Sequence, residues 1–316
     1  MKEKRILYLV IPCYNEEAVL HETAKQLMEK MNAMFAQNLI SRDSRIMFVD
    51  DGSKDKTWKI IEELHELNQL YSGVKLSRNK GHQNALLAGL ITAKEKADMV
   101  ISLDADLQDD VDVIDKMVEK YYKGSDVVYG VRSARNTDTF FKRFTAEGFY
   151  KIMQAMGVEI VFNHADYRLM SKRALEGLSE FHEVNLFLRG IIPLIGYPSD
   201  VVTYERHERF AGESKYPLKK MLAFATDGIT SFSIKPIRMI AICGIGIFVV
   251  SLIMLLYFLV RYFIGKTVPG WTSTVVSVWA IGGLQLLAIG VVGEYIGKIY
   301  LETKARPKYI IEKILH

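Results

Sequence analysis

Cysteine is nearly absent from this chain of 316 residues. Cys13 follows the first apolar run and Cys243 lies inside a much longer one, so the sequence offers neither a disulfide framework nor a thiolate metal cluster. Internal repeats and low-complexity segments are missing too, which argues against a solenoid or a disordered chain. Charge is missing from two stretches: no Asp, Glu, Lys, Arg or His occurs from Met239 to Val260, nor from Val268 to Gly293. Each stretch is long enough, as a helix, to cross roughly 30 Å of hydrocarbon. A secretory leader is not apparent. The charged start Met1 to Arg5 leads into only about seven apolar residues, and Asn15, Glu16 and Glu17 follow without a small-residue cleavage site. That start reads as a buried first strand with the N-terminus left in the cytoplasm.

The basic residues gather around the uncharged stretches. Lys219, Lys220, Lys235 and Arg238 precede the first, and Lys298, Lys304, Arg306, Lys308 and Lys313 follow the second, while only Arg261 and Lys266 lie between them. This asymmetry predicts two spans with both ends cytoplasmic and a short outer loop. It points to a lipid bilayer as partner, and nothing points to a nucleic acid.

Before residue 132 the pattern alternates. Short apolar runs at Ile6–Ile11, Arg45–Val49, Val74–Leu76, Met99–Leu103 and Asp126–Val131 read as strands. Glu16–Phe35, Asp55–Leu70, Gly81–Ala97 and Val111–Tyr122 have helical spacing. Strands alternating with helices predict an α/β fold, with a mostly parallel sheet covered on both faces and ligands bound beyond the strands' carboxyl ends. Polar clusters stand at those ends: Tyr14-Asn15-Glu16, Asp50-Asp51-Gly52-Ser53 and Asp104-Ala105-Asp106. Amphipathic stretches from Phe140 to Met156 and from Tyr216 to Ser231 suit either core packing or the headgroup layer of a membrane.

Asp104 and Asp106, followed by Gln108, place hard oxygen ligands close together, as Mg²⁺ or Mn²⁺ prefers when a diphosphate completes its shell. Asp50 and Asp51 suit hydrogen bonds from a base or ribose, although an N-cap for the next helix is equally open to Asp50, Asp51, Ser53 or Asp55. Asn79-Lys80-Gly81 is either a phosphate-binding helix start or a plain turn.

In combination, Pro12-Cys13-Tyr14-Asn15-Glu16, Asp50-Asp51-Gly52-Ser53-Lys54-Asp55-Lys56-Thr57, Asn79-Lys80-Gly81 with Ala85 and Gly89, and Asp104-Ala105-Asp106-Leu107-Gln108 resemble the family 2 glycosyltransferases of the GT-A (Rossmann-like) fold. Ala165-Asp166-Tyr167-Arg168-Leu169-Met170-Ser171 looks like the acceptor-side motif of polyprenyl-phosphate transferases, with Tyr167 where Phe is usual. Arg209-Phe210-Ala211-Gly212-Glu213-Ser214-Lys215 resembles their phosphate-binding segment. Gly293-Glu294-Tyr295-Ile296-Gly297-Lys298-Ile299-Tyr300 is similar to the tail of the bactoprenol glucosyltransferases, which carry two spanning helices. Dolichol-phosphate mannosyltransferases are more distant relatives.

The resemblance implies roles. Pro12, Tyr14, Glu16, Val49, Asp51, Lys80, Asp104, Ala105, Arg132 and Arg135 would bind the nucleotide-sugar. Asp104, Asp106 and Gln108 would hold Mg²⁺ or Mn²⁺. Arg168, Arg209 and Lys215 would bind the acceptor or its phosphate, and Asp166 with Asp106 would be catalytic. The acceptor would be undecaprenyl or another polyprenyl phosphate, the donor UDP-glucose or UDP-N-acetylglucosamine ahead of GDP-mannose, and the enzyme a homo-oligomer. A phosphate acceptor is already largely dianionic at neutral pH, its second pKa being around 6. Asp166 is therefore expected to orient groups more than to take a proton.

The expected organisation is a catalytic domain over 1–215, an amphipathic helix over 216–236, two transmembrane helices within 237–300 and a cytoplasmic tail over 301–316. Two rivals compete with this reading. A processive polysaccharide synthase would resemble its kind in a Gln-x-x-Arg-Trp motif, but none of Trp58, Trp271 and Trp279 follows an arginine. A non-catalytic nucleotide-sugar-binding module would not need the acidic clusters intact.

Overall fold

The computed structural model describes residues 4–132, 164–183, 186–205, 233, 235–264 and 270–316. The chain divides into two compact units, one of residues 1–150, 159–217 and 306–316, the other of 151–158 and 218–305.

The first unit is built on one sheet. Its elements in chain order are β1 (Leu7–Cys13), α1 (Leu20–Ala36), β2 (Arg45–Asp50), α2 (Thr57–Leu67), β3 (Tyr71–Leu76), α3 (His82–Lys94), β4 (Met99–Ser102), α4 (Val113–Tyr122) and β5 (Val127–Arg132). They continue with β6 (His164–Ser171), α5 (Lys172–Ser179), α6 (Leu188–Leu194) and β7 (Ser199–Tyr204), and β8 (Ile311–Leu315) ends the chain. Every residue of β1 is buried. An unbroken apolar run is what a strand covered on both faces requires. Helix α2 buries Thr57, Ile60, Ile61 and Leu64, one stripe at helical spacing. Helix α3 sits closer to the sheet because Gly89 has no side chain: a Cβ there would lie 2.5 Å from Val10 Cγ1 and 2.6 Å from Val49 Cγ2.

The strand order is β7-β5-β6-β4-β1-β2-β3-β8. Strands β4, β1, β2 and β3 are mutually parallel, and β5 pairs parallel with β7. Strand β6 runs antiparallel to both β4 and β5. The carboxyl ends of β1 to β5 and β7 therefore share one edge with the amino end of β6. Because Ser102 pairs with Arg168, the register carries Asp166 alongside the residues that follow β4.

The expected parallel core is present from β1 to β4, and the alternation before residue 132 matches the elements found. Three strands lack a counterpart in the sequence reading. In β6, Asp166 and Arg168 interrupt the apolar pattern that marks a strand. Strand β7 is an edge strand with exposed Ser199, Val201 and Thr203, so one face carries no apolar signal. Strand β8 closes the opposite edge antiparallel to β3. It is pinned by ion pairs from Lys75 to Glu312 and from Lys313 to Glu62, each 2.8 Å, pairings between residues far apart in sequence.

The second unit contains α7 (Lys235–Phe263) and α8 (Trp271–Thr303). Among the described residues, one stretch, Ala280–Thr303, is long and apolar enough to cross a membrane. The expected pair of spans thus has one such stretch in α8. The amphipathic stretches 140–156 and 216–231 lie outside the described residues.

Candidate active site

Three loops are laced together where β1, β2 and β3 end. Asn15 adopts a left-handed φ of 56°, and its N–H donates to Ser53 Oγ at 3.0 Å while its Oδ1 accepts from Lys54 N–H at 2.9 Å. Glu16 N–H donates to Thr57 Oγ1 at 2.9 Å. Gly52 has φ +66°, and a Cβ there would lie 2.6 Å from the backbone of Arg78 and Asn79. Only glycine allows the third loop so close.

Of the paired carboxylates, Asp51 is committed to that third loop. Its Oδ1 accepts from Lys80 N–H at 2.7 Å and its Oδ2 from Gly81 N–H at 2.8 Å, shaping the turn ahead of α3. Asp50 accepts from Ser53 N–H at 3.2 Å, and its buried Oδ2 has no partner among the described residues. Burial pushes both carboxyl groups above their ordinary pKa. Pro12 pairs in register with Val49. Val49 is buried against α3, so any contact it makes with a ligand falls to its backbone. Tyr14 is exposed and Glu16 half-buried at the rim.

The loop after β4 is bent by Leu107, whose left-handed φ of 56° is unusual for a branched residue. Gln108 N–H donates to Asp106 Oδ1 at 3.2 Å, and Ala105 C=O accepts from Thr23 Oγ1 of α1 at 2.7 Å. The loop leaves Asp104 and Asp106 partly exposed and Gln108 buried. Burial, and then the neighbouring carboxylates Asp109, Asp166 and Asp106, raise Asp104 to about 6, against the opposing pull of His82. Crowded carboxylates of this kind are what a divalent cation neutralises. Among the described residues no three His, Cys, Asp or Glu side chains form a closed metal cage. Asp104 and Asp106 are hard oxygen donors on one loop, the chemistry Mg²⁺ or Mn²⁺ takes when ligand oxygens complete its shell. If Asp104 holds a divalent cation, a proton competes with it, and the affinity for Mn²⁺ alone is expected to weaken as the pH is lowered through about 6. Calorimetric titration at several pH values reads this directly, and a profile flat down to pH ~5 would remove Asp104 from the metal site.

Asp166 lies across the cleft from Asp104, and His82 at the start of α3 spans the gap: its Nε2 is 3.7 Å from Asp104 Oδ1 and 3.7 Å from Asp166 Oδ2. Arg168, two residues on along β6 and 1% exposed, donates Nη2 to Asp166 Oδ1. Arg189 of α6 donates Nη2 to Asp166 Oδ2 at 3.0 Å and Nε to Oδ1 at 3.3 Å. Burial alone would raise the Asp166 pKa. The guanidinium groups of Arg168 and Arg189 outweigh it and hold the carboxyl well below the usual range. A carboxylate so placed is ionised and a poor proton acceptor. Arg132 at the end of β5 donates Nε to Tyr204 Oη at 3.3 Å, and Tyr204 donates to buried Asp109 at 2.5 Å. This chain ties the ends of β5 and β7 to the loop after β4.

The structure thus brings together Asp104, Ala105, Asp106, Gln108, Arg132, Asp166 and Arg168 at one sheet edge, with Pro12, Tyr14, Glu16, Val49, Asp51 and Lys80 in the laced loops beside them. Arg135, Arg209 and Lys215 lie outside the described residues. The sequence reading passed over His82, Arg189, Asp109 and Tyr204. His82 directly follows the flagged Asn79-Lys80-Gly81, and Arg189 is a lone cation between apolar neighbours in Phe187-Leu188-Arg189-Gly190. Both signals are faint without the fold.

The profile of glycosyl transferase family 2 matches residues 8–179. The chain is 52% identical to the Bacillus subtilis uncharacterised glycosyltransferase YkoT, over 99% of this chain and 93% of that one. It is 41% identical to a prophage-derived bactoprenol glucosyl transferase of Shigella flexneri, over 96% of this chain and 97% of that one. Among solved structures, glucosyl-3-phosphoglycerate synthase from Mycobacterium tuberculosis, crystallised with Mn²⁺, UDP and phosphoglyceric acid, matches with a TM-score of 0.43 and 16% identity, over 72% of this chain and 76% of that one. That likeness is too loose to carry an inference about ligands. The mixed α/β fold with its central sheet, the acidic loop after β4 and the end-to-end match to transferases agree: the chain belongs to glycosyl transferase family 2, a family of enzymes.

Proposed function

We propose that the protein transfers a hexose from a nucleoside-diphosphate sugar, UDP-glucose before UDP-N-acetylglucosamine, to a polyprenyl phosphate at the cytoplasmic face of a membrane. The observation that carries this reading is the colinear 41% identity with a bactoprenol glucosyl transferase over 96% of the chain, apolar helices included.

The geometry supports a division of labour. Strand β4 stands between two halves of the sheet. On one side, the laced loops after β1, β2 and β3 suit the nucleotide. On the other, β6, β5 and α6 bring Asp166, Arg168, Arg132 and Arg189 and suit the acceptor. Asp104 and Asp106 lie at the border, where the diphosphate of the donor would meet the attacking phosphate. A divalent cation held there by Asp104 and Asp106 would supply positive charge to the departing diphosphate. An oxygen of the acceptor phosphate forms the new bond to the anomeric carbon as the bond to the donor's β-phosphate oxygen breaks, and the electron pair leaves with the nucleotide. In-line attack inverts an α-linked donor to a β-linked product. Being a dianion, the acceptor gives up no proton, so Asp166 does not need to act as a base.

Two spans also fit the chain's path. It leaves the sheet-bearing unit before residue 218 and rejoins it at residue 306, with β8 hydrogen-bonded to β3. A chain that starts and ends in one folded unit crosses a bilayer an even number of times. If Ala280–Thr303 crosses, α7 is the segment available for the return passage.

A transfer assay on full-length protein in detergent tests the proposal, with undecaprenyl phosphate, Mg²⁺ or Mn²⁺, and UDP-glucose, UDP-N-acetylglucosamine or GDP-mannose in separate reactions. Lipid-linked sugar from one donor, abolished by EDTA, is the expected result. Folded protein that yields no lipid product from any donor would refute the acceptor assignment.

A further inference from the structure

We infer that Arg189 of α6 is a ligand of the acceptor phosphate, held ready for it by Asp166. The inference rests on the polyprenyl-phosphate reading above and deepens it. Two guanidinium groups, Arg168 and Arg189, converge on the single carboxylate of Asp166. Arg168 is buried, and its Nε and Nη1 have no hydrogen-bond partner among the described residues. The two arginines differ in access. Arg168 is 1% exposed, whereas 33% of the Arg189 side chain remains accessible.

Its backbone is also placed with care. The N–H of Leu188, the preceding residue, donates to Gln83 Oε1 of α3 at 2.9 Å. This fastens the start of α6 next to His82, which faces both Asp104 and Asp166. Asp166 grips Arg189 through Nε and Nη2, which fixes the plane of the guanidinium. A pre-oriented fork of this kind suits a phosphate better than a flexible ammonium does. The location selects the acceptor rather than the donor. Arg189 approaches from the β6 side of β4, while the nucleotide loops lie on the β1 side.

The test is steady-state transfer by the full-length enzyme with undecaprenyl phosphate and the donor that wild-type protein uses, comparing Arg189→Gln and Arg189→Lys. Arg189→Gln is expected to raise KM for undecaprenyl phosphate at least tenfold and to leave the dissociation constant of UDP with Mn²⁺ within about twofold. Arg189→Lys, which keeps the charge and loses the fork, should fall between Gln and wild type. The UDP titration also reports whether each variant is folded. An unchanged lipid KM in Arg189→Gln, or equal losses for lipid and UDP, would overturn the assignment while the polyprenyl-phosphate reading stands. Absence of lipid product from wild-type protein would overturn both.

Discussion

Replacing Asp106 with alanine is expected to lower sugar transfer by about a thousandfold, because charge that develops on a departing diphosphate in a partly buried site is stabilised chiefly by a fixed cation and its ligands. Asp106 stands on a loop whose shape depends on the left-handed Leu107 and on the hydrogen bond from Gln108 N–H. Its carboxylate is half-buried beside Asp104. Alanine removes one of the two border carboxylates and leaves the strands untouched, so the fold should survive with a loss of about 1 kcal/mol for the missing hydrogen bond. The loss should fall on kcat, and the affinity for UDP should cease to depend on Mn²⁺. Turnover measured with and without EDTA separates the explanations. A variant that keeps a tenth of wild-type turnover and still responds to EDTA would take Asp106 out of the metal site.

Asp166→Asn should be the most destabilising conservative substitution in the site. The carboxylate lies between a buried and a half-exposed guanidinium, and its removal strands the charge of Arg168, which is 1% exposed. Breaking a buried pair by deleting one partner costs about 3–5 kcal/mol. In a unit of this size that corresponds to a fall in melting temperature of roughly 6 °C or more. The pH dependence follows from the direction of the shift. The folded-state pKa of Asp166 is depressed, so its contribution is fully present above the unfolded value of about 3.9 and is lost only as the pH falls towards the folded value. The difference in melting temperature between wild type and Asp166→Asn should therefore be constant through the neutral range and close only in strong acid. Transfer should fall too, since Arg189 loses the group that holds it. An Asp166→Asn enzyme with wild-type melting temperature and turnover would remove Asp166 from both the architecture and the mechanism.

The legible part of the molecule was the part in which neighbours in sequence decide the outcome. Strand β1 reads from the apolar run Ile6–Ile11, α2 from one apolar stripe, and the polar clusters from their positions directly after apolar runs. Gly52 and Gly89 lie within recognisable motifs, and the close approaches they permit are consequences of those motifs folding together. Asp51 shows the limit. Its residue type suited a nucleotide or a turn equally, and only the fold shows both of its oxygens taken by Lys80 and Gly81. Val49 is similar, since burial against α3 leaves it a backbone role.

The sequence by itself determined the α/β alternation, the acidic loop after β4, the uncharged runs of the second unit and, through motifs in fixed order, the family. Each depends on local periodicity or on a short contiguous string, which a linear reading preserves. Tertiary structure alone decided the rest. It turned β6 antiparallel so that Asp166 meets the edge where β4 ends. It brought Arg189 to Asp166 across 23 residues and closed the sheet with β8, whose Lys313 meets Glu62 across 251. These pairings depend on strand register and chain crossing. The energy that selects them resides in burial and in charge pairs between distant residues, and no window of sequence contains both partners.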